Sequence, residues 1–193
     1  MKRLFSLLLV SVMMFSLVCT VRAASPEAIA AADAIHELGL FQGVGINQDG
    51  TPNYDLDRAP NRFEAVTMLV RLLGKEEEAA AGTWNTPFTD VAEWAIPYVG
   101  YAYSNKLTDG ISDASFGGAS PVTAAQYITF VLRALGYDSS SDFQWDAAWE
   151  LSDELGVTSG QYDASSSFTR GDVAIISNSA LSANLKGKEN TLL

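Results

Sequence analysis

Three tetrapeptides stand at matching places in the 193-residue chain: Asn61-Arg62-Phe63-Glu64, Thr123-Ala124-Ala125-Gln126 and Thr169-Arg170-Gly171-Asp172. Each begins seven residues after an aromatic, respectively Tyr54, Phe116 and Tyr162, with no gap in any copy. Asn or Thr followed three residues later by Glu, Gln or Asp has the chemistry of a capping box, which ties down the free amides of a helix start. Two copies place an arginine just inside that start, Arg62 and Arg170. A guanidinium is a planar fork that matches a carboxylate with two parallel hydrogen bonds. For Arg62 an internal partner is at hand in Asp55, Asp57 or Glu64, so a solvated helix-start ion cluster competes with ligand binding as its explanation. Arg71 and Arg133 fall near the ends of their helical stretches, where a cation suits the helix dipole.

Other chemistries find little support. His36 is the single histidine, on a helix that reads as packed, and Cys19 is the single cysteine. That leaves no nucleophile–base dyad and no zinc set, so no catalytic residue, metal ligand or cofactor is assigned. Acidic residues abound, but none is singled out by the spacing that glycoside hydrolysis requires. The loop Gly45–Asp57 places Gly45 and Leu56 at the two ends of an EF-hand register, where carboxylates belong, so it reads as turns. Gly43-Val44-Gly45 lacks the remaining pattern of a phosphate-cradling loop.

The elements that carry the tetrapeptides also repeat. With Gly43, Gly110 and Gly160 in register, Leu40, Leu107 and Val157 stand three positions earlier. A helical stretch precedes each glycine, which is expected to end it in a left-handed conformation. Apolar residues at helical spacing follow each tetrapeptide: Val66, Leu69, Val70 and Leu73; Ile128, Val131, Leu132 and Leu135; Val173, Ile176 and Leu181. Gly74 and Gly136 close the first two of these helices. The unit is therefore helix–loop–helix, written three times, with insertions confined to the loop. One such unit cannot bury its own apolar face, whereas three together can. Trp84, Trp94, Trp145 and Trp149 read as core anchors.

The N-terminus supplies the context. Lys2 and Arg3 precede an apolar run, Leu4 to Val18, and small residues follow at Ala23 and Ala24, the pattern of a secretory signal. Cleavage there removes Cys19, and with Lys2, Arg3 and Arg22 it removes three positive charges, taking the formal charge from −11 to −14. So acidic a surface excludes nucleic acid as a partner, and no membrane association is expected once the signal is gone. The expected organisation is a signal at 1–24, a first unit at 25–75, a linker at 76–86, a second unit at 87–137, a third at 138–184 and a loose tail at 185–193; the charged, alanine-rich segment Lys75–Gly82 reads as linker or frayed helix end.

The second unit resembles a surface-layer homology (SLH) module along its whole length. The resemblance is carried by Phe88-Thr89-Asp90-Val91, Trp94-Ala95, the Gly110 corner, Phe116 and the helix start at Thr123, and the three tetrapeptides stand where that family has a Thr-Arg-Ala-Glu type motif. It extends over roughly residues 28–183. The resemblance implies a mainly α fold, with three modules in a pseudo-threefold body around a central helical bundle. It implies non-catalytic attachment to the bacterial envelope through a secondary cell-wall polysaccharide, often pyruvylated. Other cell-surface proteins are the alternative partners, if sugar affinity has been lost. Carried residue by residue, it assigns Arg62 and Arg170 to the sugar carboxylate, helped by free amides at the helix start, and the corners Gln42-Gly43, Asp109-Gly110 and Ser159-Gly160 to the groove wall. Trp94 or Tyr54 would offer a face to sugar C–H groups. Ala124 departs from the motif, so the middle copy is expected to lack its anion contact, and Arg133 is too far along the helix to replace it.

Overall fold

The computed structural model describes residues 24–193; the proposed signal lies almost wholly outside them. The chain is mainly helical. Three helix pairs are formed by α1 (Pro26–Glu37) and α2 (Arg62–Leu72), α4 (Ile96–Ser104) and α5 (Ala124–Ala134), and α6 (Ala148–Glu154) and α7 (Arg170–Leu181). Short 3-10 turns, Glu93–Ala95 and Trp145–Ala147, lead into α4 and α6. The strands β1 (Gly45–Ile46) and β2 (Pro52–Asn53) form an antiparallel hairpin, which is how the first loop absorbs its extra length. Among the described residues no helix is long and apolar enough to cross a membrane.

The tetrapeptides fold as their composition dictates. Asn61, Thr123 and Thr169 are the N-caps of α2, α5 and α7, and each start has a reciprocal capping box with Glu64, Gln126 or Asp172. Behind the caps, Val66, Leu69, Val70, Ile128, Val131, Leu132, Val173 and Ile176 are fully buried. They place α2, α5 and α7 in mutual contact at the centre. Tyr127 is wholly enclosed there, its hydroxyl 2.7 Å from Ser177 Oγ, which satisfies two buried polar groups across α5 and α7.

The outer helices follow a cyclic rule: α4 packs on α2, α6 on α5 and α1 on α7. The first helix of each pair thus covers the second helix of the preceding pair, and the last pair closes on the first. Phe88-Thr89-Asp90-Val91 has a visible task in this scheme. Asp90 accepts from Ser115 Oγ at 2.6 Å and from the amides of Phe116 and Gly117 at 2.7 and 2.9 Å, which fixes the far end of the loop. The Ser115 hydroxyl and these amides hold the Asp90 carboxyl down at about 2.

Three expectations need correction. The corner glycines do not end the first helices. Gly39 (φ +75°), Lys106 (φ +59°) and Gly156 (φ +71°) do so, four residues earlier. Gly43 and Gly110 are needed for space instead: a Cβ on Gly43 would lie 2.5 Å from the Asn53 carbonyl oxygen, and one on Gly110 would strike Phe88 and the Ser112 and Ser115 carbonyls. The segment read as a charged linker or frayed helix end is a separate helix, α3 (Glu76–Ala81), which packs on α4 and buries Ala79. The tail is not loose either. Lys186 N donates to the Leu135 carbonyl, its Nζ pairs with Asp142 at 2.6 Å, and Leu185 and Leu192 pack on the core.

Lys106 occupies a left-handed position that glycine fills in the other two pairs, and a β-carbon there costs about 1–2 kcal/mol. Lys106→Gly is expected to stabilise the protein by about 0.5–1 kcal/mol after allowing for the glycine's greater unfolded-state freedom. A rise in the urea midpoint at unchanged slope checks this.

Candidate functional site

Arg62 and Arg170 are buried, 7% and 4% exposed, although each sits in the first turn of a helix. Each reaches the corner of the next pair in the cycle. Arg62 Nη2 donates to the Asp109 carbonyl at 2.7 Å and to the Thr108 hydroxyl at 3.3 Å. Arg170 Nη2 donates to the Gln42 carbonyl at 3.3 Å, and its Nε to the Tyr54 carbonyl at 2.8 Å. Asp109 and Gln42 are the residues just before the corner glycines, so the same bond is made twice. The Arg62 guanidinium also lies between the rings of Phe116 and Phe130, 4.9 and 4.8 Å from their centroids, and Arg170 lies 5.6 Å from Phe41. Burial lowers both arginines. Arg62, with Arg133 nearby, falls to about 10 and so keeps its charge at neutral pH.

The acidic cluster offered by the sequence belongs to Arg58, which bonds Asp55 at 2.6 Å and Glu64 at 2.8 Å. The free amides expected beside the arginines are occupied. Arg62 N and Phe63 N donate to the Ser120 and Gly118 carbonyls, and Arg170 N and Gly171 N to those of Arg58 and Leu56. The third amide of each helix goes to its cap. An anion near these starts would therefore meet side-chain donors, not main-chain ones.

Each arginine borders a groove that runs along the neighbouring second helix. One, of about 420 Å³, is bounded by Arg62, Asp109, Gly110 and Ile111, by Gln126, Thr129, Phe130 and Arg133 of α5, and by Trp145. The other, of about 390 Å³, is bounded by Arg170, Gln42, Gly43 and Val44, by Glu64, Thr67, Met68 and Arg71 of α2, and by Trp94 and Tyr98. Nine positions correspond one for one, while Ser139 borders only the first groove and Asn61 and Tyr98 only the second. Their size suits a small ligand. Trp94 and Trp145, read from sequence as core anchors, are instead 52% and 57% exposed. Trp84 and Trp149 do pack on the core, and Tyr54 is buried. Tyr54 therefore offers no face to a ligand.

Arg71 and Arg133 are the site residues that sequence reasoning missed. They lie nine positions after Arg62 and Ala124, on the groove side of their helices. Arg133 Nη2 bonds Asp109 at 2.6 Å and Ser139 Oγ at 2.7 Å, and Arg71 pairs with Glu76. The recurrence of that offset was the available signal. The expectation for Ala124 also changes. Each motif residue serves the next pair's corner, so α5 has its own groove arginine in Arg62, and the place left without one is beside Ser159-Gly160. There Gly160 N donates to Asp153 and Ser159 N to Gln161, and the cleft along α7, bordered by Gln161, Tyr162, Asp172 and Ile175, has no arginine in its lining among the described residues.

Arg62→Ala removes two hydrogen bonds and two ring contacts from a buried position, and is expected to cost about 2–3 kcal/mol. Arg133→Ala breaks an ion pair with the largely exposed Asp109 and is expected to cost about 1 kcal/mol or less. Urea unfolding of the two variants checks the difference.

Residues 87–128 match the S-layer homology domain. The chain is similar to the middle cell wall protein of Brevibacillus brevis, 29% identical over 154 residues that make up 78% of this chain and 14% of that protein. It is 32% identical to the surface layer protein of Brevibacillus choshinensis over 65% of this chain and 11% of that one. It is 32% identical to the cell surface protein of Thermoanaerobacter kivui over 81% of this chain and 20% of that one. The chain thus spans a fifth or less of each relative's length. It carries an S-layer homology domain at residues 87–128.

Proposed function

We propose that this protein attaches to the bacterial cell envelope by binding an anionic, pyruvylated wall polysaccharide, without catalysis. The relatives are named as cell-wall, surface-layer and cell-surface proteins, and the same location is assigned here. In this reading all three helix pairs are modules of the one family, arranged with pseudo-threefold symmetry, and the cyclic packing of α4 on α2, α6 on α5 and α1 on α7 supports it.

The observation that carries the reading is the pair of matching grooves, each with two arginines and an exposed tryptophan. In a protein of net charge −11, the two arginine pairs draw together four of the twelve Lys and Arg residues. A groove with a fixed cation at its floor, a second at its rim and an aromatic face beside them matches a sugar acid: carboxylate against guanidinium, ring C–H groups against indole. Arg62 and Arg170 shape the floor, Arg133 and Arg71 stand at the rim, and Gln42-Gly43 and Asp109-Gly110 form the wall. The Ser159-Gly160 corner, whose amides are satisfied by Gln161 and Asp153, is given a structural role.

Cosedimentation with purified wall material tests the reading. The protein is expected to pellet with pyruvylated polysaccharide and to stay in solution when the ketal has been removed. Trp145→Ala combined with Arg133→Ala, which spares the buried clamp, is expected to weaken retention at least tenfold. Equal retention on both polymers would overturn the assignment of the anion.

A further inference from the structure

The two arginine grooves differ in one respect that the repeat conceals: on α2 a carboxylate is already in place. Glu76, in the first turn of α3, accepts from Arg71 Nε at 2.9 Å and Nη2 at 2.8 Å, from the Tyr98 hydroxyl at 3.0 Å and from Gln42 Nε2 at 3.2 Å. Arg71, Tyr98 and Gln42 all border that groove. The other arginine there is engaged at all three nitrogens, since Arg170 uses Nε on Tyr54, Nη2 on Gln42 and Nη1 on Met68 Sδ at 3.5 Å. Burial alone would raise the Glu76 carboxyl, but the bonds from Arg71 and Tyr98 outweigh it and leave it below its usual range.

The groove on α5 has no carboxylate held by several partners among the described residues. Its counterpart of Glu76, two residues beyond the helix-ending glycine, is Asp138, whose carboxylate accepts instead from Ser140 N and Oγ, both at 2.7 Å. The acid that pairs with Arg133 is Asp109, 68% exposed at the groove edge. Arg62 keeps donors in reserve. Its Nε is buried with no partner, and its Nη1 makes no hydrogen bond among the described residues. Gln126 also replaces Glu64, which removes a negative charge from the lining.

We propose that Glu76 is a tethered stand-in for the anionic ligand, occupying the rim arginine of the α2 groove, so that the α5 groove alone takes the carboxylate-bearing sugar. The inference rests on the sugar-binding reading above and adds to it which groove is used and what closes the other. A carboxylate held on a neighbouring helix competes as an intramolecular group at an effective concentration on the order of millimolar, and no new contact is needed to exclude the free ligand. On this account α3 is a plug, and its acidic first turn sets the number of working sites.

Titration calorimetry with a pyruvylated repeat unit released from wall polysaccharide tests it. The protein is expected to bind one equivalent. Glu76→Ala, and more weakly Glu76→Gln, is expected to bind two, the second within tenfold of the first in affinity. Adding Arg71→Ala to Glu76→Ala should return the count to one. With Arg133→Ala alone, affinity should fall at least tenfold, and adding Glu76→Ala should restore a site. Two equivalents on the unaltered protein, or a single equivalent on both Glu76 variants with circular dichroism unchanged, would overturn the plug while leaving the sugar-binding reading intact. No binding by the unaltered protein would overturn both.

Discussion

The two charged grooves depend on a hydrogen bond from a buried guanidinium to a main-chain carbonyl in the next helix pair. Arg62 makes it to Asp109 and Arg170 makes it to Gln42. A desolvated cation is costly unless its donors are met and its faces are covered. Here the carbonyls meet part of that demand, and phenyl rings on either side of Arg62 meet more. The bond joins one pair's helix start to another pair's loop corner, so it fixes the width of the space between them. That space is the groove. The same residue therefore holds the units together and charges the cleft where they meet, which is why Arg62 is both a structural element and a candidate ligand contact.

The three junctions are not equivalent. Two have the guanidinium bond and a pair of main-chain bonds into the helix start, from Gly118 and Ser120 or from Leu56 and Arg58. At the third, Ala124 replaces the arginine, and the adjoining corner is satisfied locally through Asp153 and Gln161. Packing of α6 on α5 still closes the cycle there. Apolar burial thus supplies the closure at every junction, while the arginine supplies the charged cleft at two of them. Loss of one arginine costs a groove its cation without costing the fold its core.

Much of the fold was legible because helix starts obey local rules. The capping boxes at Asn61, Thr123 and Thr169 need only residues three apart, and all three form. The buried faces of α2, α5 and α7 follow from a 3.6-residue period in the same way. Long-range features were hidden. Nothing local says that Arg62 serves the corner at Asp109 instead of its own loop, because that pairing depends on the cyclic order of packing. The acids near Arg62 in sequence proved to be partners of Arg58, four residues earlier. Trp94 and Trp145 read as core because large aromatics are usually buried, yet the 3-10 turns that carry them face the grooves. Glu76 was passed over inside a glutamate-rich run that resembles a linker, and only its three partners distinguish it from Glu77.

The central claim is that the groove where Arg62 and Arg133 converge receives the carboxylate of a wall sugar. A crystal structure of the protein with a pyruvylated repeat unit bound is its most direct test. The account predicts the carboxylate against Arg62 and Arg133, with the sugar ring across Trp145. A sugar bound outside the groove, or one whose carboxylate touches neither arginine, would contradict it.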